Sequence, residues 1–127
     1  MSTIRVSSED IEKVFEKWRS HQKRPHLCRL TEDRKDLIRK RMRLGYSVDD
    51  FLALIEYAYR SNDPGPRWWR GENPNTRTYL GVDNLFRKEP LASRIEAALN
   101  WQEDGSHTVE EQDDNFGPFR LISGGKP

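Results

Sequence analysis

The sequence predicts an all-α fold: a small helical bundle of about four to five helices with a long irregular loop and a C-terminal tail. Three observations carry that expectation. Apolar residues recur at helical spacing in Ile11, Val14, Phe15 and Trp18. Two further stripes each follow a helix-start signal, one at Thr31 and one at Ser47. The breaker Asn62-Asp-Pro-Gly-Pro66 then opens a stretch, reaching about Gly81, that reads as loop.

Each element has a local cause. Ser7 and Ser8 can cap the first helix, with Glu9, Asp10 and Glu12 in its positive first turn. That helix ends near His21, because Pro25 disfavours helix in the residue before it. Thr31 starts the second, with Glu32 and Asp33 in its first turn and Leu30 as a staple. Its apolar positions are Leu37, Ile38, Met42 and Leu44, and Gly45 is expected at C′. Ser47-Val-Asp-Asp50 repeats the capping pattern ahead of Phe51, Leu54, Ile55, Ala58 and Tyr59. Within the loop a short extended piece is expected at Thr76–Leu80. Helix resumes at Val82 or Asp83, and Pro90 at an N1 position begins the last one, with Leu91, Ile95 and Leu99 as its stripe.

Bulk composition narrows the class. The 127 residues fit one domain. Apolar residues make up 34% and the 8 glycines bring the share to about 40%, below the roughly 45–50% of a typical domain, so the core is lean. Residues 1–100 hold 20 Lys+Arg against 15 Asp+Glu, whereas residues 101–127 hold 2 against 6. A helical domain over 1–101 and an acidic tail over 102–127, ending in a short apolar segment, follow from that shift. A basic body suits an anionic partner. One cysteine, Cys28, excludes an intramolecular disulfide framework. No run is long enough to span a membrane and no apolar signal core opens the chain, so a cytoplasmic location is expected.

Catalytic signatures are missing: no phosphate-binding glycine loop, no His-Glu-x-x-His, no nucleophile elbow. The carboxylates sit in helix first turns, where capping accounts for them. The expectation is therefore a protein that binds rather than catalyses, without a cofactor. His21, His26 and Cys28 fall close together, but a structural metal site needs four ligands and the remaining histidine is His107. An ordinary basic linker explains the three, so no metal is expected.

Three segments are candidates for binding. Residues 13–43 carry 12 Lys+Arg against 4 Asp+Glu, and Lys35, Arg39 and Arg43, with Lys40 beside them, can line one helix face. Such a stripe would neutralise phosphates in a salt-dependent way; a merely solvated face fits equally. The loop Arg67-Trp68-Trp69-Arg70-Gly71 sets two indoles between two arginines. Indole faces can stack on unpaired bases, or one or both can plug a lean core, and one ring inward with the other outward satisfies both readings. The tail segment with Phe116, Phe119, Leu121 and Ile122 is either a docking peptide for a protein partner or a clasp that folds back on the body.

The order of these pieces is itself informative. Val14-x3-Trp18, Leu30-Thr31, Arg41-x-Arg43-x-Gly45-Tyr46-Ser47-x-Asp49, Leu54-Ile55-x2-Ala58, Trp68-Trp69-x-Gly71-x-Asn73 and Tyr79-Leu80 to Leu85-Phe86-Arg87 follow one another. This arrangement, over about residues 10–100, resembles the C-terminal domain of phage and prophage replication proteins of the replisome-organiser or helicase-loader type, broadly DnaD-like. The resemblance implies a helical module that binds single-stranded DNA or a replicative helicase during initiation. It carries Trp68, Trp69, Gly71 and Asn73 as loop positions, and Tyr79 and Phe86 as packing residues. The winged-helix domain that usually precedes such a module is not in this sequence, which leaves an excised domain or a stand-alone phage adaptor. An adaptor or inhibitor of a host protein, acting through the tail or the tryptophan loop, is the alternative function.

Overall fold

The structure is a computed structural model that describes residues 6–105. Among them the chain forms six α-helices and no strand: α1 (Ser8–Arg19), α2 (Glu32–Met42), α3 (Val48–Arg60), α4 (Pro64–Trp69), α5 (Val82–Leu85) and α6 (Lys88–Glu103), with a 3₁₀ turn at Pro25–Leu27. The all-α bundle expected from the stripes is what forms. Three caps act as the sequence requires. The side chains of Ser7, Thr31 and Ser47 accept from the backbone N–H groups of Asp10, Arg34 and Asp50, and Asp50 returns the bond to Ser47 in a capping box.

Helix α3 is the centre of the molecule. It buries Phe51, Ala53, Leu54, Ile55, Tyr57 and Ala58, and packs against α1, α4 and α6. Helix α1 contributes Ile11, Val14, Phe15 and Trp18 to the same cluster, and α6 contributes Leu91, Ile95, Ala98 and Trp101. Phe51 meets Phe86 edge-on at 5.2 Å between ring centroids. Helix α2 is only lightly buried, through Ile38 and Met42, and uses two arginines as struts. The Arg34 guanidinium lies 5.2 Å from the Trp18 ring centroid, and Arg41 Nε donates to the Phe86 carbonyl at 2.7 Å.

Four expectations are corrected. Residues 64–69, expected as irregular loop, form α4. Pro64 opens it because proline at the start of a helix sacrifices no hydrogen bond and arrives with helical φ. The remaining loop holds no extended strand at Thr76–Leu80; Thr76 instead takes a positive φ of 51°. Pro90 is the third residue of α6 rather than the first, a position whose N–H would also be unpaired. Leu44, expected on the buried stripe, is 50% exposed because α2 ends at Met42. Gly45 still takes the left-handed conformation, at φ 113°, but two residues past the Arg43 cap.

Candidate nucleic-acid interface

Half of the expected basic stripe is neutralised within α2. Lys35 Nζ lies 3.2 Å from Glu32, and Arg39 Nη1 lies 2.5 Å from Asp36, each pair one helical turn apart. Only Lys40 and Arg43, of the expected stripe, are cations without an ion-pair partner among the described residues. A stripe read from Lys/Arg spacing alone overlooks the carboxylates three positions earlier, which lie on the same face.

The tryptophan segment divides its four side chains between structure and surface. Arg70 turns inward, donating from Nη1 to the Ala58 carbonyl at 3.0 Å and from Nη2 to the Ser61 carbonyl at 2.6 Å. It thereby satisfies the C-terminal end of α3, and burial holds its pKa below the ordinary arginine value. Arg67 stays at the surface, where Nη2 reaches Glu72 at 2.8 Å. Trp69 is half-buried: Tyr57 meets it edge-on at 6.2 Å, and the Arg94 guanidinium sits 4.7 Å from its ring centroid. Trp68 is 48% exposed. One ring faces inward and the other outward, the division that the lean core and the exposed surface each call for.

Beyond α4 the chain forms an ordered wall. Gly71 leaves the helix at φ 112°, a conformation that glycine adopts without strain. Asn73 then holds the turn together, donating from Nδ2 to the carbonyls of Trp68 and Arg77 at 2.8 and 2.7 Å. Its Oδ1 accepts from the backbone N–H groups of Asn75 and Arg77. Tyr79 N–H donates to the Trp69 carbonyl at 2.7 Å, and the Trp18 indole N–H donates to the Leu80 carbonyl at 2.7 Å. These bonds fasten the far end of the loop to α4 and α1.

Between that wall and the start of α6 lies a cleft of about 180 Å³ lined by Trp68, Trp69, Tyr79, Asn84, Arg87 and Arg94. Its lining contains three aromatic rings, one carboxamide, two guanidinium groups and no carboxylate. Arg94 donates from Nη1 to the carbonyls of Asn84 and Leu85, which fixes it in the wall. Burial pushes its pKa below the ordinary value, and the charge of Arg87 pushes in the same direction. Arg87 is exposed at the N-cap of α6. Two positive groups thus face one cleft whose lining holds no carboxylate, an arrangement whose field favours negative charge.

Arg87, Arg94, Asn84 and Tyr79 complete a site of which the sequence marked only the two tryptophans as binding residues. Arg87 is the N-cap residue of α6 and Arg94 lies in its second turn, so the two meet at the start of a helix whose first residue the sequence placed at Pro90. Nothing local indicated that Tyr79 or Asn84 would join them. Of the three residues near the first linker whose types can bind metal, and which are read as an ordinary basic linker, His21 stacks on Tyr59 at 4.5 Å with Nε2 3.3 Å from Glu56, while His26 is exposed. Cys28 Sγ points instead at the Arg24 carbonyl. Phe116, Phe119, Leu121, Ile122 and His107 lie outside the described residues. No helix among the described residues is long and apolar enough to cross a membrane.

Compared with known proteins, the chain matches no family model, no curated protein and no solved structure.

Proposed function

We propose that this protein binds single-stranded DNA as an accessory factor in DNA replication, with the cleft between α4 and α6 holding an unpaired base. The observation that carries the reading is the cleft's composition. Exposed Trp68 offers a stacking face, and Arg87 and Arg94 offer positive charge with no carboxylate among the lining residues. Base stacking on an aromatic side chain contributes roughly 1–3 kcal/mol, and guanidinium groups bind phosphate through paired donors. At about 180 Å³ the cleft falls below the roughly 300–1,000 Å³ of an ordinary small-molecule pocket. A single base edge-on or stacked suits that space better than a whole cofactor. A duplex, whose bases are already stacked on one another, presents no free face to Trp68. The replication setting comes from the resemblance to phage replication domains.

Fluorescence anisotropy with labelled oligonucleotides tests the reading. Binding to a single strand at low salt, weaker binding to a duplex, and a loss of about ten-fold or more with Trp68→Ala are the expected results, the loss corresponding to one stacked base. Arg87→Ala should lower both affinity and its salt dependence. A protein that ignores single strands at low salt, or that binds them equally well after both substitutions, would rule the cleft out.

A further inference from the structure

Exposed cations without an ion-pair partner occur in several places among the described residues, Lys40, Arg43, Arg77 and Lys88 among them, but in one linker three fall close together in sequence. Helix α2 neutralises Lys35 and Arg39, and Glu72, just past α4, neutralises Arg67. The connection from α1 to α2 does not follow suit: Lys23, Arg24 and Arg29 are all exposed, and none has an ion-pair partner among the described residues. No Asp or Glu occurs between Lys17 and Thr31. The three side chains therefore stand in solvent, with no carboxylate in the linker's own sequence to pair with them.

This linker is nonetheless held in a fixed place. The 3₁₀ turn at Pro25–Leu27 closes it, and Arg19 Nε donates to the Pro25 carbonyl at 2.8 Å. Gln22 Nε2 donates to the Trp18 carbonyl at 3.0 Å and to the Tyr59 hydroxyl at 2.7 Å. The Tyr59 hydroxyl in turn meets the Leu80 carbonyl at 3.4 Å, the same oxygen that accepts from the Trp18 indole. Leu80 adjoins Tyr79, which lines the cleft. A short chain of hydrogen bonds thus runs from the cleft wall, through Leu80, Tyr59 and Gln22, to the start of the linker at Lys23.

We propose that the Lys23, Arg24 and Arg29 linker is a second nucleic-acid contact, holding the phosphates of the strand after it leaves the cleft past Tyr79 and Leu80. The inference rests on the reading of the cleft as a base site. It adds a direction to it: the strand crosses the junction of α1 with the loop wall instead of following α2. Phosphate groups suit this surface because three unpaired, solvent-facing cations lose little on exchanging counter-ions for a strand. The linker contributes no Phe, Tyr or Trp face, so it positions the strand chiefly through phosphate.

The test compares oligothymidylates of about 3 and about 12 nucleotides, a span chosen around typical single-strand site sizes. The triple variant Lys23→Ala/Arg24→Ala/Arg29→Ala alters only exposed side chains, and circular dichroism is used to check its fold. It should bind the long strand roughly ten-fold or more weakly near 0.1 M salt. The slope of log K on log salt should fall by about 2, at about 0.7 for each phosphate no longer neutralised. The short strand, held by the cleft, should bind both proteins alike and quench Trp68 to the same extent. Wild-type affinity and slope in the triple variant would overturn the linker's role while leaving the cleft intact. So would a loss seen instead in Lys40→Ala/Arg43→Ala. Failure of the unaltered protein to bind either strand counts against the cleft itself, and the linker's role falls with it.

Discussion

Two adjacent tryptophans and the two arginines that flank them look equivalent on paper, and at the scale of single residues they are opposites. Trp69 is wedged between Tyr57 and Arg94, whereas Trp68 is 48% exposed. Arg70 bonds two carbonyls at the end of α3, whereas Arg67 pairs with Glu72 at the surface. Helical geometry is the cause, since neighbours in a helix point about a quarter-turn apart. The arginines should therefore separate in a thermal denaturation experiment. Arg70→Ala removes charge-assisted bonds to carbonyls that would be left unpaired, and is expected to cost about 2–3 kcal/mol. Arg67→Ala is expected to leave the melting temperature nearly unchanged, as solvent-exposed pairs usually do. Equal losses from the two would mean that Arg70 does not brace the end of α3.

At the scale of elements, the junction of α1 with α3 should respond to acid. Burial holds the His21 pKa below its ordinary 6.5, outweighing the opposing attraction of Glu56. Lys17 and Arg60 face the same pair and also resist protonation of His21. The unfolded chain thus binds this proton more readily than the folded one. The contribution is full above about pH 6.5 and is lost as pH falls from there through the lowered folded value. Burial alone would raise the Glu56 pKa, but the hydrogen bond and charge of Lys17, with His21 and Arg60, bring it below 4.5, so its contribution fades at still lower pH. His21→Phe keeps a ring against Tyr59 and removes the titration. Urea denaturation at about pH 7 and about pH 5.5 should show a larger loss of stability in wild type than in the variant. Parallel losses would mean that another group titrates.

The loop wall belongs to the same scale. The Asn73 side chain makes four hydrogen bonds, one to the Trp68 carbonyl and three within residues 73–77. Asn73→Ala should leave the melting temperature nearly unchanged, because the core cluster does not include this residue. Amide hydrogen exchange over residues 73–79 should speed up, and strand binding should weaken as Tyr79 loses its register. Slow exchange there in the variant would assign the order to other bonds. How much of this the sequence held depends on the range of the interactions. The caps at Ser7, Thr31 and Ser47 and the stripe from Ile11 to Trp18 are local and were legible. Helix α4 was not, because two prolines and a glycine that ordinarily end helices here occupy its first turn. The cleft was half legible: Trp68 and Trp69 stand out by type, but Tyr79, Arg87 and Arg94 meet them only through contacts distant in sequence.

Across the whole molecule, one cluster of buried side chains joins every helix except α4, and α4 is held through Trp69 and Arg70 to α3. Among the described residues this single core leaves no part expected to fold apart from the rest. Leu54 lies at its centre, fully buried on the helix that touches α1, α4 and α6. Leu54→Ala should cost about 2–5 kcal/mol through lost burial and the cavity left behind. Against a total stability of about 5–15 kcal/mol for a domain of ordinary stability, that is a large share. Leu44→Ala, at a position 50% exposed, should shift stability by no more than about 0.5 kcal/mol. The decisive measurement is whether two probes move together. Far-UV circular dichroism reports all six helices, while tryptophan fluorescence weights the cleft through Trp68 and Trp69 and the core through Trp18 and Trp101. With one cooperative core, both signals melt at the same temperature in wild type, and both shift by the same amount in Leu54→Ala. A fluorescence transition that precedes the loss of helix would show the cleft opening on its own. The wall on which the proposed base stacking depends would then be a local structure, detachable from the core that α3 organises.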